Sequence, residues 1–578
     1  VTSVEVDSAD WRRAAGATGL LAAFNEAGVI DSSDVLVAQR LTTLGEDTDE
    51  LVALAVAFAV RGLRSGSVCV DVRELQAQVD LPELPWPAAD AWLAAVRASP
   101  LLDAPHMLRL RDDVLYLDRY WREEQQVADD LLAMVADGAG AVTASDVGRL
   151  FPPGYDEQRE AAELALNQRL TVLTGGPGTG KTTTVARLLA LLAGENEAAG
   201  RPRLRIALAA PTGKAANRLQ EAVQAEIDLL EAVDRQRISG LQATTLHRLL
   251  GSLPDSSSRF RHHRGNRLPH DVIVVDETSM VSLTMMARLL EAVRPEARLL
   301  LVGDPDQLAS VDAGAVLADL VEGLGRRTDV RIAELRTSHR FGETIGALAA
   351  AIRDGDADLA VEVLRAGGDH VEWLEVDDPA AALRQVLLPQ ALAVRRAAIL
   401  GDGRSALATL EEHRLLCAHR RGPFGVQHWN HQVERWLTEA TGEPIWSAWY
   451  VGRPILVTAN DYGLGLFNGD TGVTVVGEAG LRAVVAGTDA PLNFGTGRLA
   501  DVETMHAMTI HKSQGSQAAE VTVLMPPVDS RLLTRELFYT AVTRAKSRVR
   551  VVGAEDEVRA AIERRAVRAT GLASRLRG

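Results

Sequence analysis

The segment TVLTGGPGTGKT, from Thr171 to Thr182, follows an apolar run and precedes a helical pattern. Its glycines, Gly175, Gly176, Gly178 and Gly180, with Pro177 and Thr179 among them, let backbone N–H groups wrap an anion at the mouth of a helix. Lys181 is then placed to reach outer phosphates and the Thr182 hydroxyl to bind Mg2+, while Thr183 opens the helix expected over 183–192. A hydrolytic site of this kind needs an acid on a neighbouring strand. VIVVDE, from Val272 to Glu277, offers two at the end of a wholly apolar run. Asp276 is placed for Mg2+ and Glu277 for the attacking water, and a pair of acids there implies transfer to water rather than to a bound acceptor. The expected cofactors are ATP and Mg2+, and the expected chemistry is phosphoanhydride hydrolysis.

These groups need strands and helices to hold them, and from about residue 155 the chain alternates the two. Short apolar strands are expected at 170–173, 206–210, 272–275, 299–302, 521–524 and 549–552, with amphipathic helices between them. That alternation predicts an α/β fold of parallel sheets with ligands at the C-terminal ends of the strands. Residues 1–120 read as mostly helical, with Ala, Leu and Val at helical spacing in 49–63 and a proline-rich break at 81–87. No catalytic constellation is visible there. Residues 121–154 form a connection that ends in Phe151-Pro-Pro-Gly154. The remainder is expected to divide into 155–345, carrying a basic loop at 252–270, and 346–578, carrying a small β insertion at about 446–505. In that insertion Asn468–Gly469 reads as a hairpin turn.

With 47% hydrophobic and 24% charged residues, the 578-residue chain is neither disordered nor fibrous. Its two cysteines, Cys69 and Cys417, are too few for a disulfide framework or a four-cysteine metal site, and they suit a reducing compartment. No stretch of 18 uncharged apolar residues occurs, so the expectation is a cytoplasmic protein with no membrane association. The net charge is 62 − 78 = −16, which by itself argues against phosphate backbones as partners. The distribution reverses that inference: residues 1–150 hold 12 basic and 25 acidic side chains, leaving 50 against 53 in the rest. Arginine outnumbers lysine 58 to 4, so the lysines that remain are informative. They are Lys181, Lys214, Lys512 and Lys546, and each falls in a nucleotide or nucleic-acid segment.

Six further segments follow the phosphate loop in order: APTGKAANR (Ala210 to Arg218), ATTLHR (Ala243 to Arg248), LVGDPDQL (Leu301 to Leu308), SHRF (Ser338 to Phe341), MTIHKSQGS (Met508 to Ser516) and LFYTAVTRAK (Leu537 to Lys546). The series resembles motifs Ia, Ib, III, IV, V and VI of superfamily 1 helicases. The resemblance implies two RecA-like P-loop motor domains that close a composite ATP site. It assigns Arg340 and Arg544 to the γ-phosphate from the second domain, Gln307 to a link between that phosphate and DNA, and Gln158 to the adenine. It assigns DNA contacts to Pro211, Thr212, Thr244, Thr245 and His247 in the first domain and to Thr509, His511 and Lys512 in the second. Small hydroxyls and amides suit phosphate contacts that hold register without reading sequence.

After motif III the chain reads ASVDAG, Ala309 to Gly314, without the aromatic that 3′-to-5′ members place there. With the form of motif V, this is similar to superfamily 1B, which travels 5′ to 3′. CAHRRGPFGV (Cys417 to Val426), GRPILVTAND (Gly452 to Asp461) and LGLFNGDTG (Leu464 to Gly472) resemble the RecD family, alpha subunits of exodeoxyribonuclease V. That resemblance implies an SH3-like insertion and a motor working with RecB-like and RecC-like subunits, as a heterotrimer, on single-stranded and duplex-end DNA. The acidic N-terminal region, without chemistry of its own, suits docking of residues 1–120 onto a protein neighbour or simple packing over the motor. Because Thr179, Thr212, Ile510 and Arg544, two places before the four lysines, are not acidic, no nuclease site is expected in this chain. A free-standing RecD-like helicase and a DNA-stimulated ATPase with a purely regulatory role remain alternatives. The loop Ser256 to Arg267, with Arg259, Phe260, Arg261, Arg264 and Arg267, reads equally as a DNA-guiding hairpin or a solvated loop.

Overall fold

A computed structural model describes residues 11–136, 147–253, 256–337, 343–376, 378–461, 463–478, 480–487 and 490–577. The first α/β domain is built on a six-stranded parallel sheet in the order Ala333–Leu335, Leu170–Gly175, Arg298–Gly303, Val272–Val275, Ile206–Ala210, Ala243–Thr245. Val272–Val275 is buried throughout, as a central strand covered on both faces must be. The second sheet is also parallel, in the order Val371–Leu374, Ala545–Val552, Ala518–Leu524, His413–Cys417, Ala507–Thr509. Neither sheet could be closed by hairpins, and the helices between the strands cover both faces. In the first domain, the segments ending in Thr182, Glu277 and Leu308 and those opening at Ala210 and Ala243 lie at the C-terminal edge of its sheet. In the second, Met508 to Ser516 follows strand Ala507–Thr509, whereas Leu537 to Lys546 runs from helix Arg535–Val542 into the start of strand Ala545–Val552.

The insertion is a five-stranded antiparallel sheet, Leu492–Gly495, Gly480–Val485, Thr471–Gly477, Pro454–Val457, Val502–Thr504 in spatial order. Asn468–Gly469 does make a turn, with Asp470 N–H donating to the Phe467 carbonyl and Gly469 at φ +97°. It closes the longer connection 458–470 rather than joining two strands as a tight hairpin.

The N-terminal region is less purely helical than its periodicity suggests. Helices Gly19–Glu26, Ser32–Leu44, Glu50–Arg64 and Ala89–Ala98 are joined by a three-stranded antiparallel sheet, Cys69–Asp71, Val114–Leu117 and Leu108–Arg111. Glu50–Arg64 is buried on nearly all sides, and Asp49 caps it by accepting from Leu51 N–H at 2.8 Å. Trp86, within the proline-rich break, turns inward to meet Phe24 at a ring separation of 4.6 Å, so the break is part of the core.

Residues 1–120 and the C-terminal end are not independent of the first α/β domain. Val68, Cys69 and Tyr116 share a hydrophobic core with the connecting helix Asp118–Ala136, the sheet, and Leu572 and Leu576 of the last helix, Leu572–Arg577. The chain therefore leaves the second domain near residue 564 and returns to the first. Arg568 donates to the Gly314 carbonyl at 3.2 Å, Val68 N–H to the Ala569 carbonyl at 2.8 Å, and Gly314 N–H to the Gly66 carbonyl at 2.9 Å. Cys69 is buried there, and desolvation pushes its thiol up to about 12, so it behaves as an apolar side chain.

At the centre of this junction Arg575 Nε meets Glu124 Oε2 at 2.8 Å, and Glu124 Oε1 accepts from Gly571 N–H at 2.8 Å. The two side chains are 3% and 0% exposed. Removing one partner of such a pair strands the other charge in a low dielectric. Glu124→Ala is expected to destabilise the first domain by about 3–5 kcal/mol, read as a lowered urea midpoint. Glu124→Gln, which keeps an acceptor for Gly571, should lose less. Among the described residues no helix is long and apolar enough to cross a membrane.

Candidate nucleotide site and nucleic-acid face

Strand Leu170–Gly175 is buried along its whole length, and the chain leaves it through Gly178 at φ +83° and Gly180 at φ +88°. Those left-handed conformations are open to glycine and costly for other residues. The helix begins earlier than its pattern predicts and runs longer, Lys181–Ala198, so Lys181, Thr182 and Thr183 present first-turn N–H groups. Lys181 Nζ donates to the carbonyls of Gly175 and Gly176 at 2.6 and 3.0 Å. Thr179 Oγ1 donates to the Gly176 carbonyl at 2.9 Å and holds the loop closed. Gln158 is buried, with Nε2 on the Thr179 carbonyl at 3.2 Å, so it braces the loop as well as lining the cleft. Thr183 also lines the cleft, with its hydroxyl donating to Glu226 at 2.8 Å.

The cleft beyond this loop measures ≈ 690 Å³, and Pro177, Lys181, Thr182, Asp276, Glu277, Gln307 and Arg544 all line it. Burial, and after it the Glu277 carboxylate, push Asp276 above the usual carboxylate range while Lys181 pulls it down. Glu277 has φ +51°, a left-handed conformation rare for a residue of its kind and concentrated at functional sites. Thr182 and Asp276 offer the hard oxygen donors that Mg2+ demands, and a cation there would supply the counter-charge that burial withholds from Asp276.

The second domain closes the cleft through side chains. Arg544, 3% exposed, donates to Gln307 Oε1 at 2.8 Å, and Gln307 Nε2 donates to Asp304 Oδ2 at 2.9 Å. Tyr539 donates its hydroxyl to the same Asp304 oxygen at 3.1 Å. Leu308 N–H donates to Thr540 Oγ1 at 2.8 Å, and Gln514 Nε2 to the Leu308 carbonyl at 2.7 Å. Burial raises Asp304, and Lys181 opposes that rise. The loop after strand Arg298–Gly303 is thus locked to the second domain by four side-chain bonds. Asp304 and Tyr539 escaped the sequence reading although both lie in quoted segments. An acid directly after an apolar strand, the same signal that singled out Asp276, would have found Asp304. Arg218 and Gln517 also line the cleft and were also missed. Arg340 lies outside the described residues.

The expected DNA residues of the first domain lie at the C-terminal ends of its last two strands, and those of the second domain follow strand Ala507–Thr509. Ala210 pairs with Thr245 across neighbouring strands, which sets Pro211 and Thr212 beside Thr244 and Thr245. Thr212, Thr245 and Thr509 each cap a following helix, accepting from Ala215, Arg248 and Lys512 N–H at 3.2, 3.2 and 3.3 Å. A hydroxyl used in this way still has its proton to give to a phosphate. Thr244 Oγ1 is buried with no partner in the protein. Burial lowers both His247 and His511, against the pull of Asp312 at His247 and with Arg568 adding to the effect at His511, so the surroundings favour the neutral ring at each. The His247 ring meets Phe260 edge-on at 5.8 Å, anchoring hairpin Ser252–Leu253/Ser256–Phe260 to this face, and Arg264 is tied to Asp130 at 2.8 Å.

Three family profiles match the chain: "RecBCD enzyme subunit RecD, N-terminal domain" over residues 26–116, "AAA domain" over 158–313 and "UvrD-like helicase C-terminal domain" over 504–552. A RecBCD enzyme subunit RecD of Mycolicibacterium smegmatis is 72% identical over 560 residues, 96% of this chain and 99% of that protein. The chain belongs to the RecD family. A RecD subunit of Mycobacterium tuberculosis is 66% identical over 97% of both chains. One of Haemophilus influenzae is 31% identical over 79% of each. Among solved structures, a Bacteroides Pif1 bound to ssDNA aligns at a TM-score of 0.39 and 17% identity, covering 68% of this chain and 91% of that one. RecD membership makes the chain an ATP-dependent helicase subunit with AAA and UvrD-like domains.

Proposed function

We propose that this RecD-family chain is a 5′-to-3′ DNA motor that works with RecB-like and RecC-like subunits in the cytoplasm on double-strand DNA ends, for recombination and repair. The observation that carries the reading is the Arg544–Gln307–Asp304 chain across the mouth of the cleft. Arginine and glutamine from two domains meet where Lys181 and Asp276 converge, so a γ-phosphate there would be held by both domains at once. Hydrolysis removes that shared partner and lets the domains part, and threonines on both sheet edges can pass a phosphate backbone along. Thr182 and Asp276 would hold Mg2+, which supplies charge neutralisation at the phosphates. Glu277, beside Asp276, would orient water. Polarity rests on the form of motif V and on the missing aromatic in Ala309 to Gly314. DNA cutting is left to partner subunits.

Strand displacement on end-labelled duplexes tests the reading. A 5′ single-stranded tail is expected to support unwinding and a 3′ tail alone is not. Unwinding from the 3′ tail would reverse the polarity, and ATP hydrolysis with no displaced strand on either substrate would favour a purely regulatory ATPase.

A further inference from the structure

The segment CAHRRGPFGV has no role in the ATP site or among the expected DNA residues. Its Arg420 extends over a hollow of ≈ 300 Å³ that Thr509 and Lys512 also line, together with Gln427 and His431. Glu503, from the edge strand of the insertion, lies across the same hollow. Its two carboxylate oxygens are divided between two cations: Arg420 meets Oε1 at 2.8 Å and Lys512 Nζ meets Oε2 at 2.8 Å. Two cations spaced to take the two oxygens of one anion are also spaced for the non-bridging oxygens of a phosphodiester.

The backbone beneath Glu503 is fixed independently of that side chain. Asn430 donates to the Thr504 carbonyl at 2.8 Å and accepts from Ala507 N–H at 2.9 Å, stapling the insertion to the second domain. Arg453 adds a bond to Thr504 Oγ1 at 2.9 Å. Glu503 can therefore swing away without moving its strand. Burial raises its carboxyl, but Lys512 and Arg420 outweigh that and hold it below the usual carboxylate range, so it stays charged at neutral pH. All three side chains are partly solvated, at 65%, 44% and 28% for Arg420, Glu503 and Lys512, and ion pairs that wet are worth little. A phosphate can displace the carboxylate cheaply, whereas a buried pair would resist.

We propose that Arg420 and Lys512 form a phosphodiester subsite for a single strand, and that Glu503 of the insertion competes with DNA for it. The subsite adds Arg420 to the expected track of Thr509, His511 and Lys512. It also makes the insertion a brake on strand capture: DNA enters by breaking the Glu503 contacts. This rests on the proposed DNA binding.

The test is anisotropy of labelled oligo(dT) on the full chain without nucleotide, over a range of salt concentrations. Glu503→Gln is expected to tighten binding about threefold at low salt, the size expected for losing a wet competing ion pair. Arg420→Ala should weaken it and reduce the salt slope by about 0.7, the loss of one phosphate contact on a single strand. Arg420→Lys, which keeps the charge, should keep the slope, and thermal melting of each variant separates misfolding from lost contact. Weaker or unchanged binding by a folded Glu503→Gln overturns the competition. An unchanged slope in a folded Arg420→Ala overturns the subsite. If the parent chain shows no oligo(dT) binding, the DNA reading itself fails, an outcome distinct from either of these.

Discussion

Lys181→Ala is expected to reduce ATP hydrolysis by at least about 10²–10³-fold while single-strand binding stays within about twofold of the parent. The ammonium sits at the mouth of the phosphate loop, bonded to the carbonyls of Gly175 and Gly176, and it is close enough to Asp276 and Asp304 to oppose the rise that burial gives both. A triphosphate brings several negative charges to a cleft already lined by Asp276 and Glu277, and Lys181 is the cation on the loop itself. Alanine leaves that repulsion uncompensated in the ground state and in the transition state. Lysine to arginine should not restore activity, because a planar fork does not fit a site shaped around a compact ammonium. The residues proposed to hold DNA do not depend on this ammonium: Thr212, Thr245 and Thr509 are held by their own caps. Steady-state hydrolysis with and without oligo(dT) checks the prediction, and a variant that hydrolyses ATP at the parent rate overturns the nucleotide assignment.

What the sequence discloses here follows the range of the interactions. The phosphate loop is legible because strand, glycines, lysine and helix are neighbours in the chain, and the backbone conformations at Gly178 and Gly180 are local necessities. Strand Val272–Val275 is legible because burial on both faces demands an unbroken apolar run. The N-terminal sheet is not legible in the same way. Its strands are short, 69–71, 108–111 and 114–117, and they earn their place only by pairing across the domain. Trp86 was read as part of a break because proline marks loops, whereas the ring's burial depends on Phe24 and Phe58, both distant in sequence. The return of Leu572 and Leu576 to the first domain leaves only an ordinary apolar spacing, Leu572, Ala573, Leu576, that says nothing about which surface it meets.

The junction at Cys69, Tyr116 and Glu124 bears on how docking through residues 1–120 can be tested. A truncation beginning near residue 121 would remove Val68, Cys69 and Tyr116 from a core that includes Leu131, Leu299 and Leu576. Loss of partner binding by such a fragment would then report an opened core as readily as a missing surface. Charge substitutions on the exposed acidic side chains of the intact chain separate the two, since they leave that core untouched.

Arg544→Ala is expected to lower DNA-stimulated turnover by about 10³-fold or more, the range of arginines that stabilise a transferring phosphoryl group, with nucleotide affinity held within a few-fold. Arg544 reaches the cleft from the second domain, so it completes the site only when both domains face each other. Burial pulls its guanidinium down and the Glu277 carboxylate pushes back, which leaves a charged group with little water around it. A cation in such a place acts strongly on charge that develops during hydrolysis, and an ammonium cannot replace it: Arg544 also donates through Nε to the Thr540 carbonyl at 3.1 Å, which aims the fork at Gln307. Arg544→Lys should therefore recover little. The removal leaves Gln307 Oε1 without its donor, so melting must be measured beside kinetics. A folded variant with unchanged affinity for a fluorescent nucleotide and lost turnover places the arginine in the chemical step. Equal losses in affinity and turnover would make it a binding residue, and a parent-like kcat would remove it from the site.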